Sequence, residues 1–168
     1  IFHEYLSHLK KISKNSKVIT DKLPINFKWI GLIKSIYPNC KVINCKRNSK
    51  DTCFSCFKEL FENLNFTDDQ YDLAKFYNSY SDLMNFWNLS LKDSIHTVDY
   101  EDLVNSTELN IKNMLKFCEL DFEENCLNFK DNKAAVRTIS VSQVRKPIYR
   151  SSIGSYKYYE KNLKILFD

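Results

Sequence analysis

The stretch KVINCKRNSKDTCFS, residues 41–55, decides the fold. Its opening, Lys41-Val42-Ile43-Asn44-Cys45, is short, β-branched at its centre and bounded by turn residues, which predicts a buried strand. A polar loop follows from Lys46 to Lys50. Asp51 then suits the N-cap of a helix that carries Thr52, Ser55, Phe57, Leu60 and Phe61. The order is strand, loop, helix.

Working outward, the same alternation continues on both sides. Upstream, Ile1, Tyr5, Leu6, Leu9 and Ile12 fall at helical spacing, and the polar run Ser13 to Lys17 ends that helix. Val18-Ile19-Thr20 reads as a short strand running into a loop at Lys22, because Pro24 biases Leu23 away from the α region. Phe27, Ile30, Leu32, Ile33 and Ile36 suit a helix over 25–37 that Pro38-Asn39 breaks. Downstream, Asp68 or Asp69 opens a long helix through Tyr71, Leu73, Tyr77, Tyr80, Leu83, Met84 and Trp87. Ser94 to Tyr100 (SIHTVDY) reads as a further strand, Glu101 begins another helix, and Met114, Leu115 and Leu120 continue the helical pattern. Glu123, Asn125 and Cys126 lead into the polar stretch Lys130 to Lys133.

Buried strands alternating with helices predict an α/β fold, a parallel sheet with helices on both faces. Ligands bind such sheets at the carboxyl ends of the strands. With 2 glycines and 3 prolines in 168 residues, an all-β fold lacks the turn chemistry it needs, so helices should dominate. The length predicts a single domain over 1–168, and 43% hydrophobic residues supply its core. No internal repeat appears.

The formal charge of +4 is scattered and not gathered into a block, so no nucleic-acid partner is called for, whereas a small polyanion fits. Cys40, Cys45, Cys53, Cys56, Cys118 and Cys126 lie within or beside apolar segments and read as free, buried thiols. Free thiols favour a reducing cytoplasm, although the compartment stays open; Asn65, Asn88 and Asn105 begin sequons that do not decide it. The pair Cys53 and Cys56 has no second C-x-x-C, and His3, His8 and His96 are far apart, so no metal site is expected. No apolar run approaches the roughly 18 residues of a membrane helix. The chain opens at Ile1 within a helical pattern, which suggests that its native N-terminus lies further upstream.

Three predicted strand ends carry polar residues on one edge: Lys22, Arg47 and Tyr100. A fourth element, Arg137 to Ser155 (RTISVSQVRKPIYRSSIGS), gathers Arg137, Arg145, Lys146 and Arg150 with hydroxyls at Ser140, Ser142, Tyr149, Ser151 and Ser152. Arginine grips phosphate or sulfate with a planar fork of donors, and lysine acts as a mobile point charge.

Four segments in order, TDKLPINF (Thr20 to Phe27), CKRNSKDTCFS (Cys45 to Ser55), VDYEDLV (Val98 to Val104) and RTISVSQVRKPIY (Arg137 to Tyr149), resemble the sulfotransferase superfamily. The resemblance is to the branch of protein-tyrosine sulfotransferases and the bacterial enzymes with upstream tetratricopeptide repeats. It implies a P-loop-NTPase-like sheet and transfer of a sulfuryl group from 3′-phosphoadenosine 5′-phosphosulfate (PAPS) to a hydroxyl of a protein tyrosine, a carbohydrate or a small alcohol. By that resemblance, Lys22 neutralises the leaving group, and Arg47 with Ser55 holds the 3′-phosphate. Tyr100 contacts the nucleotide, Ser140 lies near the sulfuryl group, and Gln143, Val144, Arg145, Lys146, Pro147 and Tyr149 wrap the nucleotide.

The departures matter as well. Nothing here matches the family's N-terminal strand and phosphosulfate loop, P-R-S-G-T-[ST], and the general base would lie in the same absent region, so none is assigned. As it stands, this piece is expected to be inactive. Asn48-Ser49 stand where the family often has proline, Ser155 where it has a basic residue, and Glu59 where relatives can carry arginine. A non-catalytic nucleotide-binding or interaction module of the same fold is the competing reading. A P-loop kinase relative would need G-x-x-x-x-G-K-[ST] and magnesium ligands, and neither appears.

Overall fold

The computed structural model describes residues 2–13, 16–59, 61, 64–128 and 148–167. The decisive stretch folds as expected in order: strand β1 (Val42–Lys46), a two-residue connection, and helix α3 (Ser49–Phe57). Ahead of them lie α1 (Phe2–Ser13), a 3₁₀ segment (Pro24–Trp29) and α2 (Ile30–Ile36). After them come α4 (Gln70–Ser90), β2 (Ile95–Asp99), α5 (Tyr100–Asn105), α6 (Thr107–Phe117) and a terminal turn of helix, α7 (Lys164–Phe167).

The two strands are parallel, paired from Val42↔Ile95 to Lys46↔Asp99. Alternation along a strand sends successive side chains to opposite faces, and the helices follow that division. Asn44 donates to the Thr97 hydroxyl across the ladder at 3.3 Å and accepts from Tyr80 of α4 at 3.1 Å. One residue earlier on β2, His96 points to the other face and stacks on Phe117 of α6 at 5.2 Å. Helices therefore lie on both faces of this small sheet.

The main buried cluster joins Cys53 and Phe54 of α3, Leu73 of α4, and Leu163 and Leu166 near the C-terminus. Phe57, Phe66, Tyr77, Tyr156 and Phe167 pack around it. A second, aromatic seam runs along α4: Phe27 meets Phe76 at 6.1 Å and Tyr80 at 5.0 Å, and Phe66 stacks on Phe76 at 4.0 Å. Trp87 closes the seam by donating its indole N–H to the Phe27 carbonyl at 2.9 Å. α6 ends in a Schellman turn, with Leu120 N–H bonded to the Leu115 carbonyl and Glu119 in the left-handed region at φ 58°.

Several local expectations are corrected. Val18–Thr20 is coil, not strand: Val18 and Ile19 are exposed and no described strand pairs with them, and an isolated β segment has no ladder to stabilise it. Lys22 consequently follows no strand and sits on exposed coil. The helix expected over 25–37 begins at Pro24 and is 3₁₀ for its first part. Asn48, not Asp51, caps α3, accepting the Asp51 N–H at 3.2 Å. α3 ends at Phe57, so Phe61 lies beyond it. Tyr100 opens α5 and does not close the strand, and Ser106 divides α5 from α6. All six cysteines are free, as expected, but Cys45 is exposed.

Candidate functional site: an arginine at the carboxyl end of the sheet

The register assembles the site. Lys46 pairs with Asp99, so the next residues on the two strands, Arg47 and Tyr100, emerge side by side at the carboxyl edge. The Arg47 guanidinium lies over the Tyr100 ring, 5.4 Å from its centroid, a cation–π arrangement. The connection behind Arg47 is tied to the second strand end, because Asn48 N–H donates to the Glu101 carboxylate at 3.0 Å. Thr52 secures the first turn of α3 by donating to the Asn48 carbonyl at 2.9 Å.

The chain from Tyr149 onward returns to this edge. Tyr100 donates its hydroxyl to the Tyr149 carbonyl at 3.2 Å, and Arg47 donates through Nη2 to the Ser152 carbonyl. Burial pushes the Tyr100 phenol up from its ordinary range, with Tyr149 adding to the rise and Arg47 opposing it. Tyr100 is therefore a neutral donor at physiological pH. The Arg47 Nε atom is buried without a hydrogen-bond partner among the described residues. An unsatisfied buried donor costs about 1–3 kcal/mol.

Of the residues nominated from the sequence, Arg47, Tyr100 and Tyr149 are brought together. Ser55 sits half-buried two turns along α3. Lys22 lies on exposed coil beside Asp21, which accepts the Tyr5 hydroxyl at 2.5 Å; no contact among the described residues links it to Arg47. Ser140, Gln143, Val144, Arg145, Lys146 and Pro147 lie outside the described residues. Lys58 and Glu59, at the end of α3, are exposed.

Two participants were not nominated. Glu101, in the first turn of α5, fastens the loop that carries Arg47. Asp51 was read as a cap, yet its side chain is 1% exposed and faces the turn at Gly154–Tyr156. Its spacing to Arg47, four residues on a helix start, is the one signal the sequence held. Ser155, which stands where a basic residue was expected, turns its hydroxyl to Asp51 at 3.1 Å. Among the described residues, no group of three metal-ligating side chains occurs, and no helix is long and apolar enough to cross a membrane.

The described residues form a helix-rich α/β fold with a small parallel sheet and an arginine at its carboxyl edge. Residues 1–124 match the sulfotransferase family, a span that includes Lys22, Arg47, Ser55 and Tyr100 and stops before Ser140. An uncharacterized protein of Aquifex aeolicus (strain VF5) is 36% identical over 163 residues, 95% of this chain. The chain spans 21% of that relative's length. This chain belongs to the sulfotransferase family.

Proposed function

We propose that residues 1–168 form one domain that supplies the donor side of a sulfotransferase using PAPS. The carrying observation is Arg47, set against Tyr100 at the carboxyl edge of a parallel sheet, with a buried Nε lacking a hydrogen-bond partner among the described residues. That edge is where α/β sheets bind ligands, and a planar guanidinium matches phosphate with two parallel donors.

In this reading, Arg47 and the Ser55 hydroxyl hold the 3′-phosphate, which distinguishes PAPS from plain adenylyl sulfate. Tyr100 and Tyr149 flank the nucleotide. Gln143, Val144, Arg145, Lys146 and Pro147 wrap it, and Ser140 lies near the sulfuryl group. Transfer breaks the bond between sulfur and the bridging phosphate oxygen and forms one to the acceptor hydroxyl. Charge grows on the bridging oxygen, and Lys22, exposed on coil with a long side chain, meets it there. The acceptor's proton passes to a base other than Lys22, Arg47, Ser55, Tyr100 and Ser140.

The phosphosulfate loop of a P-loop-like core would lie upstream of Ile1, as would any tetratricopeptide repeats. The short share of the Aquifex relative that this chain spans supports a longer protein. Of the possible hydroxyl acceptors, protein tyrosine agrees with the branch that the four segments resemble, with carbohydrates and small alcohols as the alternatives. No metal enters the proposed roles.

Calorimetric titration of the chain with 3′-phosphoadenosine 5′-phosphate (PAP) and with adenosine 5′-phosphate tests the reading. PAP should bind at least tenfold tighter, and Arg47→Ala should erase the difference. Equal binding of the two nucleotides, or a preference that survives in a folded R47A variant, refutes the assignment.

A further inference from the structure

Asp51 is 1% exposed, which is unusual for a carboxylate in the first turn of a helix. Its Oδ2 accepts the Gly154 N–H at 2.6 Å, and its Oδ1 accepts the Ser155 hydroxyl at 3.1 Å and the Tyr156 N–H at 3.2 Å. Gly154 has φ 75°, the left-handed conformation that turns these donors toward one carboxylate. The same oxygen lies 3.9 Å from Arg47 Nη2, and that nitrogen also donates to the Ser152 carbonyl. One end of the segment is held by Tyr100 at Tyr149, the other by Asp51.

A carboxylate beside an anion-binding arginine would by itself repel the anion. Three donors from the 154–156 turn compensate that charge, and in return the carboxylate fixes the turn whose Ser152 carbonyl orients the guanidinium. We infer that Asp51 is a positioning residue: through the 152–156 turn it sets the direction of Arg47 and so the preference for a 3′-phosphate. This rests on the proposal that Arg47 meets that phosphate.

The two effects of removing the charge have opposite signs, which makes the inference testable. Asp51→Asn keeps the size, deletes the repelling charge, and leaves an amide N that cannot accept from Gly154 or Tyr156. If Asp51 acted only as a charge, D51N would bind PAP more tightly. If it positions Arg47, D51N should lose about tenfold of the PAP-over-adenosine 5′-phosphate ratio while adenosine 5′-phosphate itself binds within about twofold of the original chain. Hydrogen exchange over 152–156 in the free protein should accelerate in parallel.

An undiminished or larger ratio in D51N overturns the inference while leaving the Arg47 proposal standing. A ratio near one in the unmodified chain overturns both. Should D51N fail to fold, Ser155→Ala removes a single 3.1 Å bond to the same carboxylate. It should lower the ratio several-fold, and an unchanged ratio there refutes the inference equally.

Discussion

Gly31 is the position at which a single methyl group tests how the segment after Lys22 is held. A Cβ added there would stand 2.6 Å from Trp87 Cη2 and 2.9 Å from Cζ3, well inside the roughly 3.5–4.0 Å of favourable carbon contact. The indole cannot swing aside freely, because its N–H is bonded to the Phe27 carbonyl at 2.9 Å and Phe86 packs beside it at 4.9 Å. Overpacking of this kind costs about 1–3 kcal/mol. Against it, alanine in a helix interior gains about 0.5–1 kcal/mol over glycine. The balance predicts that Gly31→Ala destabilises the chain by about 1 kcal/mol, opposite in sign to what helix propensity alone requires. Urea titration followed by far-UV circular dichroism measures it as a lower midpoint at constant slope. In a Trp87→Leu background the clash is gone, and the same substitution should become neutral or stabilising. A stabilising Gly31→Ala in the original chain, or an equal loss in both backgrounds, would refute the close approach of α2 and α4.

Two further outcomes follow from the packing. Asp69 caps α4 by accepting the Tyr71 N–H at 2.8 Å and the Asp72 N–H at 3.0 Å, so Asp69→Ala should lower stability by about 1 kcal/mol, visible as a reduced melting temperature. Burial raises the Cys53 thiol to about 12 and also raises Cys56, where Arg47 partly opposes the rise. At pH 8 both are then protonated and unreactive toward iodoacetamide. Peptide mapping by mass spectrometry should find exposed Cys45 alkylated first and Cys53 only after denaturation; early labelling of Cys53 would contradict its burial.

The amphipathic spacing along 70–90 was enough to find α4, and its start was legible because an aspartate that can accept backbone N–H groups stands just before the apolar pattern. The order β1, loop, α3 was legible for the same kind of reason: a β-branched core at 41–45 followed by polar residues. The place of Arg47 just past β1 was legible because an arginine at a strand's carboxyl end is conspicuous in any register. The strand proposed at Val18–Thr20 failed because three β-branched residues state a preference, while a strand exists only with a partner. Asp51 was misread because Asn48 and Asp51 are both competent caps, and only the helix start separates them.

Local chemistry, then, determined from the sequence most of the helical segments and where β1 and β2 lie, and it nominated the side chains proposed to grip an anion. These are short-range properties, set by side-chain branching, hydrogen-bonding capacity and periodicity within about ten residues. Only the tertiary structure decided that Arg47 stands against Tyr100, since that follows from pairing Lys46 with Asp99 across the sheet. It alone showed that Asp51 turns from its own helix to the chain about a hundred residues later. The physical reason is that a buried carboxylate must find donors wherever the fold brings them, and sequence distance does not enter that requirement.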